Sequence, residues 1–265
     1  MRQLAQAADD GYRSELVPGL KATADAERLA DELAFAAARL EEFADDPPGL
    51  YADMVTMDDV EEALWLAFLV AFVCPAGDDE DPFINVRDAH VPWASGELPR
   101  LDVPRGPRSQ VDPVTAERTV LAYRAWAGRA GGQQTAFGGE AAWTPERRFD
   151  RVFERLSLPG FGRAGRYELL VSLGRLDLVE LQPTALRFAD DATTLGAKRV
   201  FGIGDTVLLE RRARALADAV ALPIEALDLA LGNWGARAPG ERATYGSRAV
   251  VDEDARHAIA GVLGV

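Results

Sequence analysis

The chain has 265 residues, 48% of them apolar, and carries 43 acidic against 29 basic side chains, a formal net charge of −14. That length and apolar content suit one large or two small domains with an adequate core, which excludes a disordered polar chain. The overall charge excludes a uniformly basic nucleic-acid binder.

In chain order, Leu29, Leu33, Ala36, Leu40 and Phe43 recur at helical spacing, and Asp45-Asp46-Pro47-Pro48-Gly49 ends that helix. Thr56 with Asp59 reads as a capping box before the apolar run Ala63–Val73. The run is shorter than the ~20 residues a bilayer requires and follows Asp58, Asp59, Glu61 and Glu62, so it predicts a buried helix and no membrane partner. Cys74, at its end, is the single cysteine, which makes an intrachain disulfide impossible and fits a core position in a reducing compartment. Residues 1–10 contain no apolar signal core, and a cytoplasmic location is expected.

Residues 75–112 form a Pro/Gly-rich, irregular connection that includes the acidic run Asp78–Asp81, with room for a short strand around Phe83–Val86 or Leu101–Val103. It divides an acidic N-terminal helical region, 1–74, from a C-terminal helical region, 113–265. Asp112-Pro113 starts a helix that continues through Leu121, Ala125 and Trp126 to Gly131-Gly132. Thr144-Pro145 starts the next, with Phe149, Val152, Phe153 and Leu156 on one face. Leu209, Ala213, Leu216 and Val220 make another stripe, flanked by Arg211, Arg212 and Arg214. Pro223 opens a helix carrying Ile224, Leu227, Leu231 and Trp234, and Asp252 caps a last one with Ala255, Ile259 and Val262. With no internal repeat and no convincing strand alternation, the fold class is all-α or nearly so, and multi-helical.

The segment richest in chemistry is Leu158-Pro159-Gly160-Phe161-Gly162, between a helix ending at Leu156 and one starting near Arg163. Glycines at 160 and 162 permit unusual backbone angles and close approach to the main chain. The free amides of the following helix, helped by its dipole, would then face a phosphate. Arg163 and Arg166 lie one turn apart, suited to charge-assisted contacts, and Phe161 and Leu158 would pin the hairpin to the core. The charge distribution permits this: residues 1–100 hold 22 acidic and 7 basic side chains, whereas residues 101–265 hold 21 and 22. Long-range steering toward DNA would still be weak. The simpler alternative is a plain inter-helix turn.

The hairpin resembles that of the helix–hairpin–helix DNA glycosylase superfamily, Leu-Pro-Gly-apolar-Gly, at five of five positions. Phe201-Gly202-Ile203-Gly204-Asp205-Thr206 is similar to the junction at which that superfamily places a catalytic Asp at the start of a helix. The resemblance implies that Asp205 stabilises positive charge developing on the sugar and positions a nucleophile, chemistry a carboxylate suits. On the residues alone, Asp205 is equally well read as an N-cap. The sequence departs from the pattern in three ways. The Arg expected after this Asp comes one position late, at Arg211; 45 residues separate Gly160 from Asp205, longer than the family spacing; and Ala164 stands where bifunctional members carry Lys. Schiff-base lyase chemistry is therefore not expected from that position, and no cysteine cluster implies an iron–sulfur cofactor.

Residues 133–235, with Ala197-Lys198-Arg199-Val200-Phe201 and Ala226–Trp234, look most like the α-glutamyl/putrescinyl thymine pyrophosphorylase-like branch. Its proposed role is to replace a pyrophosphate on a hypermodified thymine-type base in DNA with an amine. The resemblance implies DNA as partner and a flipped-out base as substrate. The expected DNA-binding residues are Leu158, Pro159, Gly160, Phe161, Gly162, Arg163, Arg166, Lys198 and Arg199, with Arg147, Arg148, Arg151 and Arg155 adding to a basic side. Gln133-Gln134-Thr135 resembles a glycosylase helix but lies at the wrong distance from the hairpin.

No cofactor and no metal ligand are expected: His90 and His257 have no metal-like spacing and read as surface or capping residues. Gly202-x-Gly204 lacks the third glycine of a dinucleotide site. The five tryptophans, Trp65, Trp93, Trp126, Trp143 and Trp234, read as core, and of these Trp93 and Trp143, in or near loops, are the better candidates for base stacking. The alternative to a base-modifying enzyme is a non-enzymatic helical protein that retains the hairpin as packing and binds a protein partner through its acidic N-terminal region. That alternative expects a concealed Asp205 with no adjacent pocket, and an Asp205 exposed in a deep cleft beside the hairpin would argue against it.

Overall fold

The computed structural model describes residues 7–77, 80–236 and 242–265. Among them there is no strand. Twelve α-helices are present: α1 (Thr23–Asp45), α2 (Leu50–Thr56), α3 (Val60–Val73), α4 (Ile84–Ala89), α5 (Ala116–Ala130), α6 (Gln133–Gly138), α7 (Pro145–Arg155), α8 (Arg163–Arg175), α9 (Ala192–Phe201), α10 (Thr206–Ala219), α11 (Ala226–Ala236) and α12 (Glu253–Leu263), with a 3-10 turn at Trp93–Ser95. The all-α expectation holds. No described helix is long and apolar enough to cross a membrane.

Contacts divide the chain into two units. One contains the described residues up to Glu41, Thr184–Ala243 and Ala249–Val265; the other contains Glu42–Pro183 and Thr244–Arg248.

In the second unit α3 is the central element. It is apolar on every face, and a helix of that kind is stable only when surrounded; accordingly every residue from Ala63 to Val73 is buried. α2, α4, α6 and α8 pack against it. Its start is capped by Asp59, whose carboxylate accepts from the Glu61 and Glu62 amides at 3.1 and 3.2 Å. Thr56 is not part of that cap: it ends α2, and its hydroxyl donates to Ala52 O and Asp53 O. The capping box was a misreading of two adjacent helix ends.

The strand expected around Phe83–Val86 is helical (α4), and residues 101–103 form no regular structure. Hydrogen bonds from buried Asn85 organise this Pro-rich stretch instead. Its amide donates to Cys74 O and Pro104 O, each at 2.9 Å, and its carbonyl accepts from Ala76 N. Of the acidic run, Asp78 and Asp79 lie outside the described residues.

Two Pro-marked helix starts are displaced by a turn. Asp112 does cap, accepting from Val114 N and Thr115 N, but α5 proper begins at Ala116. α11 begins at Ala226, three residues after Pro223.

In the first unit α9 and α11 make the closest packing. Gly196 and Gly235 permit it: a Cβ on Gly196 would lie 2.1 Å from Leu231 O, and one on Gly235 would lie 2.6 Å from Gly196 Cα. The polar heart of this unit is Glu32, 7% exposed, which accepts from Asn233 Nδ2 at 3.3 Å and Arg242 Nε at 3.1 Å. Burial raises its pKa, and Arg242 opposes that shift.

Candidate nucleic-acid interface and acidic residue

α7 is the approach to the hairpin. Thr144 caps it, its hydroxyl accepting from Arg147 N, and Pro145 stands at its first position. Phe149, Val152 and Phe153 face inward, whereas Arg147, Arg151 and Arg155 are exposed. Spacings of four place these three on one side of the helix. Arg148 does not join them and turns into the core. It is 7% exposed and donates to Gly138 O, Trp143 O, Glu180 O and the Glu180 carboxylate.

The chain leaves α7 at Leu156 and re-enters helix at Arg163. Gly160 has φ +76, where a Cβ is disfavoured, and that Cβ would lie 2.4 Å from Thr119 Oγ1. The Thr119 hydroxyl donates to Pro159 O at 2.7 Å, tying the turn to α5. Phe161 is buried, its ring 5.3 Å from Phe68 and 6.2 Å from Phe72 of α3. Gly165 gives Phe161 room, since a Cβ there would lie 2.6 Å from its ring. Pro159, Gly160 and Gly162 are exposed, and Leu158 is half-buried. The turn thus presents main chain outward while one aromatic anchors it inward.

Gly162 is the N-cap of α8 and has no side chain with which to cap it. Its own amide is not free, however. It donates to Gln110 Oε1 at 3.2 Å, and Gln110 is in turn held by bonds from its main-chain amide to Phe72 O and from its side chain to Arg108 O.

The two hairpin arginines behave differently from the expectation of outward-reaching side chains. Arg163 is 4% exposed, with its guanidinium 5.2 Å from the Tyr167 ring centre. Arg166 is half-buried over Phe153 at 4.4 Å and donates to Phe153 O at 2.9 Å. Burial, and then the neighbouring Arg163, lower the Arg166 pKa. Both are committed to contacts within the fold rather than reaching out as free side chains.

The Asp205 turn lies in the first unit, and the hairpin in the second. Gly202, at φ +66, ends α9, and Asp205 caps α10 by accepting from Leu208 N at 2.9 Å. Asp205 is exposed rather than concealed. Beside it Val207 and Leu208 are 69% and 43% exposed. Lys198 is exposed, whereas Arg199 is half-buried and donates to Gly235 O at 3.2 Å. Glu210 holds the preceding loop, accepting from Leu186 N and Phe188 N.

Of the two tryptophans offered as base-stacking candidates, Trp143 is core, 5% exposed, as the core reading has it, and Trp93 is half-buried against Trp65 and Arg124. His90 bonds Glu62, which also accepts from Trp93 N at 2.7 Å; His257 bonds Glu253 O at 2.6 Å. Among the described residues no group of three or more His, Cys, Asp or Glu is arranged to hold a metal ion.

Gln133, at the wrong distance from the hairpin to match a glycosylase helix, is fully buried. Its side chain donates to Glu61 O at 2.7 Å and accepts from the Tyr123 hydroxyl. Glu61 caps α6 from another helix, accepting from Gln133 N and Gln134 N, each at 2.8 Å. No local pattern could have revealed it, because the residues are 72 and 73 positions apart.

A family model described as alpha-glutamyl/putrescinyl thymine pyrophosphorylase clade 3 matches residues 108–242, just over half of the chain. The match takes in α5 to α11, and with them both the hairpin and the Asp205 turn. No curated protein and no solved structure matches.

Proposed function

The chain belongs to the alpha-glutamyl/putrescinyl thymine pyrophosphorylase clade 3 family, and from that premise we propose that it is a DNA-binding, base-modifying enzyme of the helix–hairpin–helix glycosylase type, acting on a modified thymine-type base. In this reading the turn Leu158–Gly162 grips the sugar–phosphate backbone through main-chain groups, and Lys198 adds a charged contact. Asp205 serves the reacting centre, where its carboxylate offsets positive charge developing on the sugar. The base is extruded from the helix before reaction.

The observation that carries the proposal is the exposed turn Pro159, Gly160 and Gly162 directly before α8, although the Gly162 amide is shared with Gln110. A helix start of this kind favours phosphate. Asp205 is compatible with its role because one carboxylate oxygen holds the cap while the residue remains exposed.

The test is fluorescence anisotropy of the full chain with labelled duplex and single-stranded DNA at low salt. Binding should weaken as salt rises, because phosphate contacts release counterions. Gly162→Asp should abolish binding by placing a carboxylate where the phosphate would sit. Asp205→Asn should retain both the cap and binding while losing turnover on DNA carrying a pyrophosphorylated thymine-type base. Absence of binding to either DNA by the wild type refutes the reading.

A further inference from the structure

A pocket of about 410 Å³ opens among α5, α6 and the end of α7, lined by Trp126, Arg129, Ala130, Thr135, Ala136 and Arg155. Its volume lies at the lower end of small-ligand sites, ~300–1,000 Å³. One part is apolar: Trp126 and Ala136 are buried, and Ala130 adjoins them. The remainder is donor-rich, with two exposed guanidinium groups and the Thr135 hydroxyl, and no carboxylate lines it.

The two arginines are unneutralised. Among the described residues neither Arg129 nor Arg155 forms an ion pair, although acids outnumber bases 43 to 29 in the chain. Two other arginines on α7 are matched, Arg148 with Glu180 at 3.0 Å and Arg151 with Glu154 at 3.4 Å, whereas Arg147, like Arg155, contacts only the Trp143 ring among the described residues. Arg155 instead lies over the Trp143 ring at 4.8 Å, a cation–π contact that does not neutralise its charge. Each arginine sits in the last turn of its helix, where the dipole favours a cation. The dipoles do not require that arginines from two helices line one pocket.

Paired guanidinium groups in a concave, acid-free wall concentrate anions, and their planar forks suit phosphate oxygens. We propose that this pocket binds a small phosphorylated ligand of the nucleotide class. Arg129, Arg155 and Thr135 hold its phosphate, and Trp126, Ala130 and Ala136 contact its apolar part. The proposal uses neither the hairpin nor Asp205 and shares only Arg155 with the basic side of α7, so the oligonucleotide arm of the test separates it from the DNA-binding reading.

The experiment is calorimetric titration of the full chain with inorganic pyrophosphate and with ADP at low salt. Wild type should bind both saturably, ADP more tightly. The Arg129→Gln/Arg155→Gln variant should lose at least about tenfold in affinity, as expected for removal of charge-assisted contacts. Arg87→Gln, which removes an exposed arginine paired with Asp53 and Asp81, should leave binding unchanged. Should the double variant fail to fold, Thr135→Val serves in its place, with a loss of about threefold. No saturable binding of either anion to wild type overturns the proposal, as does equal affinity in the variants. A dependence on Arg129 and Arg155 seen only with a DNA oligonucleotide also overturns it, because the pocket would then be an extension of a backbone-binding surface.

Discussion

Replacing Gly160 by alanine tests whether the hairpin's shape is imposed by its contacts with α5. Two costs follow from the geometry. The residue sits at φ +76, where adding a Cβ costs ~1–2 kcal/mol. That Cβ would also fall 2.4 Å from Thr119 Oγ1 and 3.1 Å from Thr115 Oγ1. Thr119 is fully buried and its hydroxyl is committed to Pro159 O at 2.7 Å, so relief of the clash breaks that bond at a further ~1 kcal/mol. The expected destabilisation is ~2–3 kcal/mol. Gly162→Ala is the control: φ is −69, any residue adopts that backbone, and the new Cβ meets only the flexible end of Gln110 at 3.0 Å, for a cost of at most ~1 kcal/mol. Urea unfolding followed by tryptophan fluorescence measures both. In a Thr119→Ala background the 2.4 Å clash is gone and only the 3.1 Å approach to Thr115 Oγ1 remains, so Gly160→Ala should cost mainly the backbone part, ~1–2 kcal/mol. If Gly162→Ala proves the more damaging change, or if Gly160→Ala costs the same in both backgrounds, the account of the turn is wrong.

Glu61→Ala removes the carboxylate that receives two α6 amides and leaves buried Gln133 without that partner, so urea unfolding should show a loss of ~2–3 kcal/mol, against little change for exposed Glu117→Ala. Arg242→Met leaves the Glu32 carboxylate buried without its cation, and thermal melts at neutral pH should show a loss of ~1–3 kcal/mol, moderated because Arg242 is partly exposed. The sign of its pH dependence follows from burial, which raises the Glu32 pKa, and removing Arg242 raises it further. The folded state therefore holds the proton more tightly, so the deficit should be small below the ordinary carboxylate range and grow as pH rises through the folded pKa. Gln110→Ala frees the Gly162 amide from its internal acceptor; on the DNA-binding reading, anisotropy should show equal or tighter binding despite a stability loss of ~1 kcal/mol, and weaker binding would place Gln110 itself at the interface.

Much of the fold could be read from local pattern. The unbroken apolar run Ala63–Val73 announced a central helix, and Thr144-Pro145, Asp205 and Asp252 marked helix starts that the structure retains. What misled was local pattern shared by more than one outcome. Asp112-Pro113 and Pro223 each mark the start of a turn, but a proline does not reveal whether that turn is already α-helical. Phe83–Val86 is short and apolar, a composition that helix and strand share, and distant bonds from Asn85 to Cys74 and Pro104 accompany its helical outcome. The arginines were the hardest to place. Arg147 and Arg148 are adjacent and chemically identical, yet helical geometry sends one to solvent and the other to three main-chain carbonyls and Glu180. A sum of positive residues therefore overstates the basic surface.

That inward turn of arginines constrains any anion recognition by this chain. Arg148 and Arg163 are buried, and Arg166 is tied to Phe153 O, so the positive charge around the hairpin is fixed and mostly covered. With a net charge of −14 the protein as a whole repels polyanions at distances within a Debye length or so of its surface. Attraction at the hairpin must then be local and short-ranged, carried by main-chain amides and the few exposed cations of α7 that lack an acidic partner, such as Arg147. Main-chain donors held by a rigid turn lose little conformational entropy on binding, which compensates for the scarcity of charge. The same turn has to be kept from closing on itself, and Gln110 occupying the Gly162 amide shows that an internal acceptor already competes for it. A phosphate that binds there must be favoured over a neutral amide oxygen, and its charge gives it that advantage, since hydrogen bonds to ionised acceptors are roughly twice as strong as those between neutral groups.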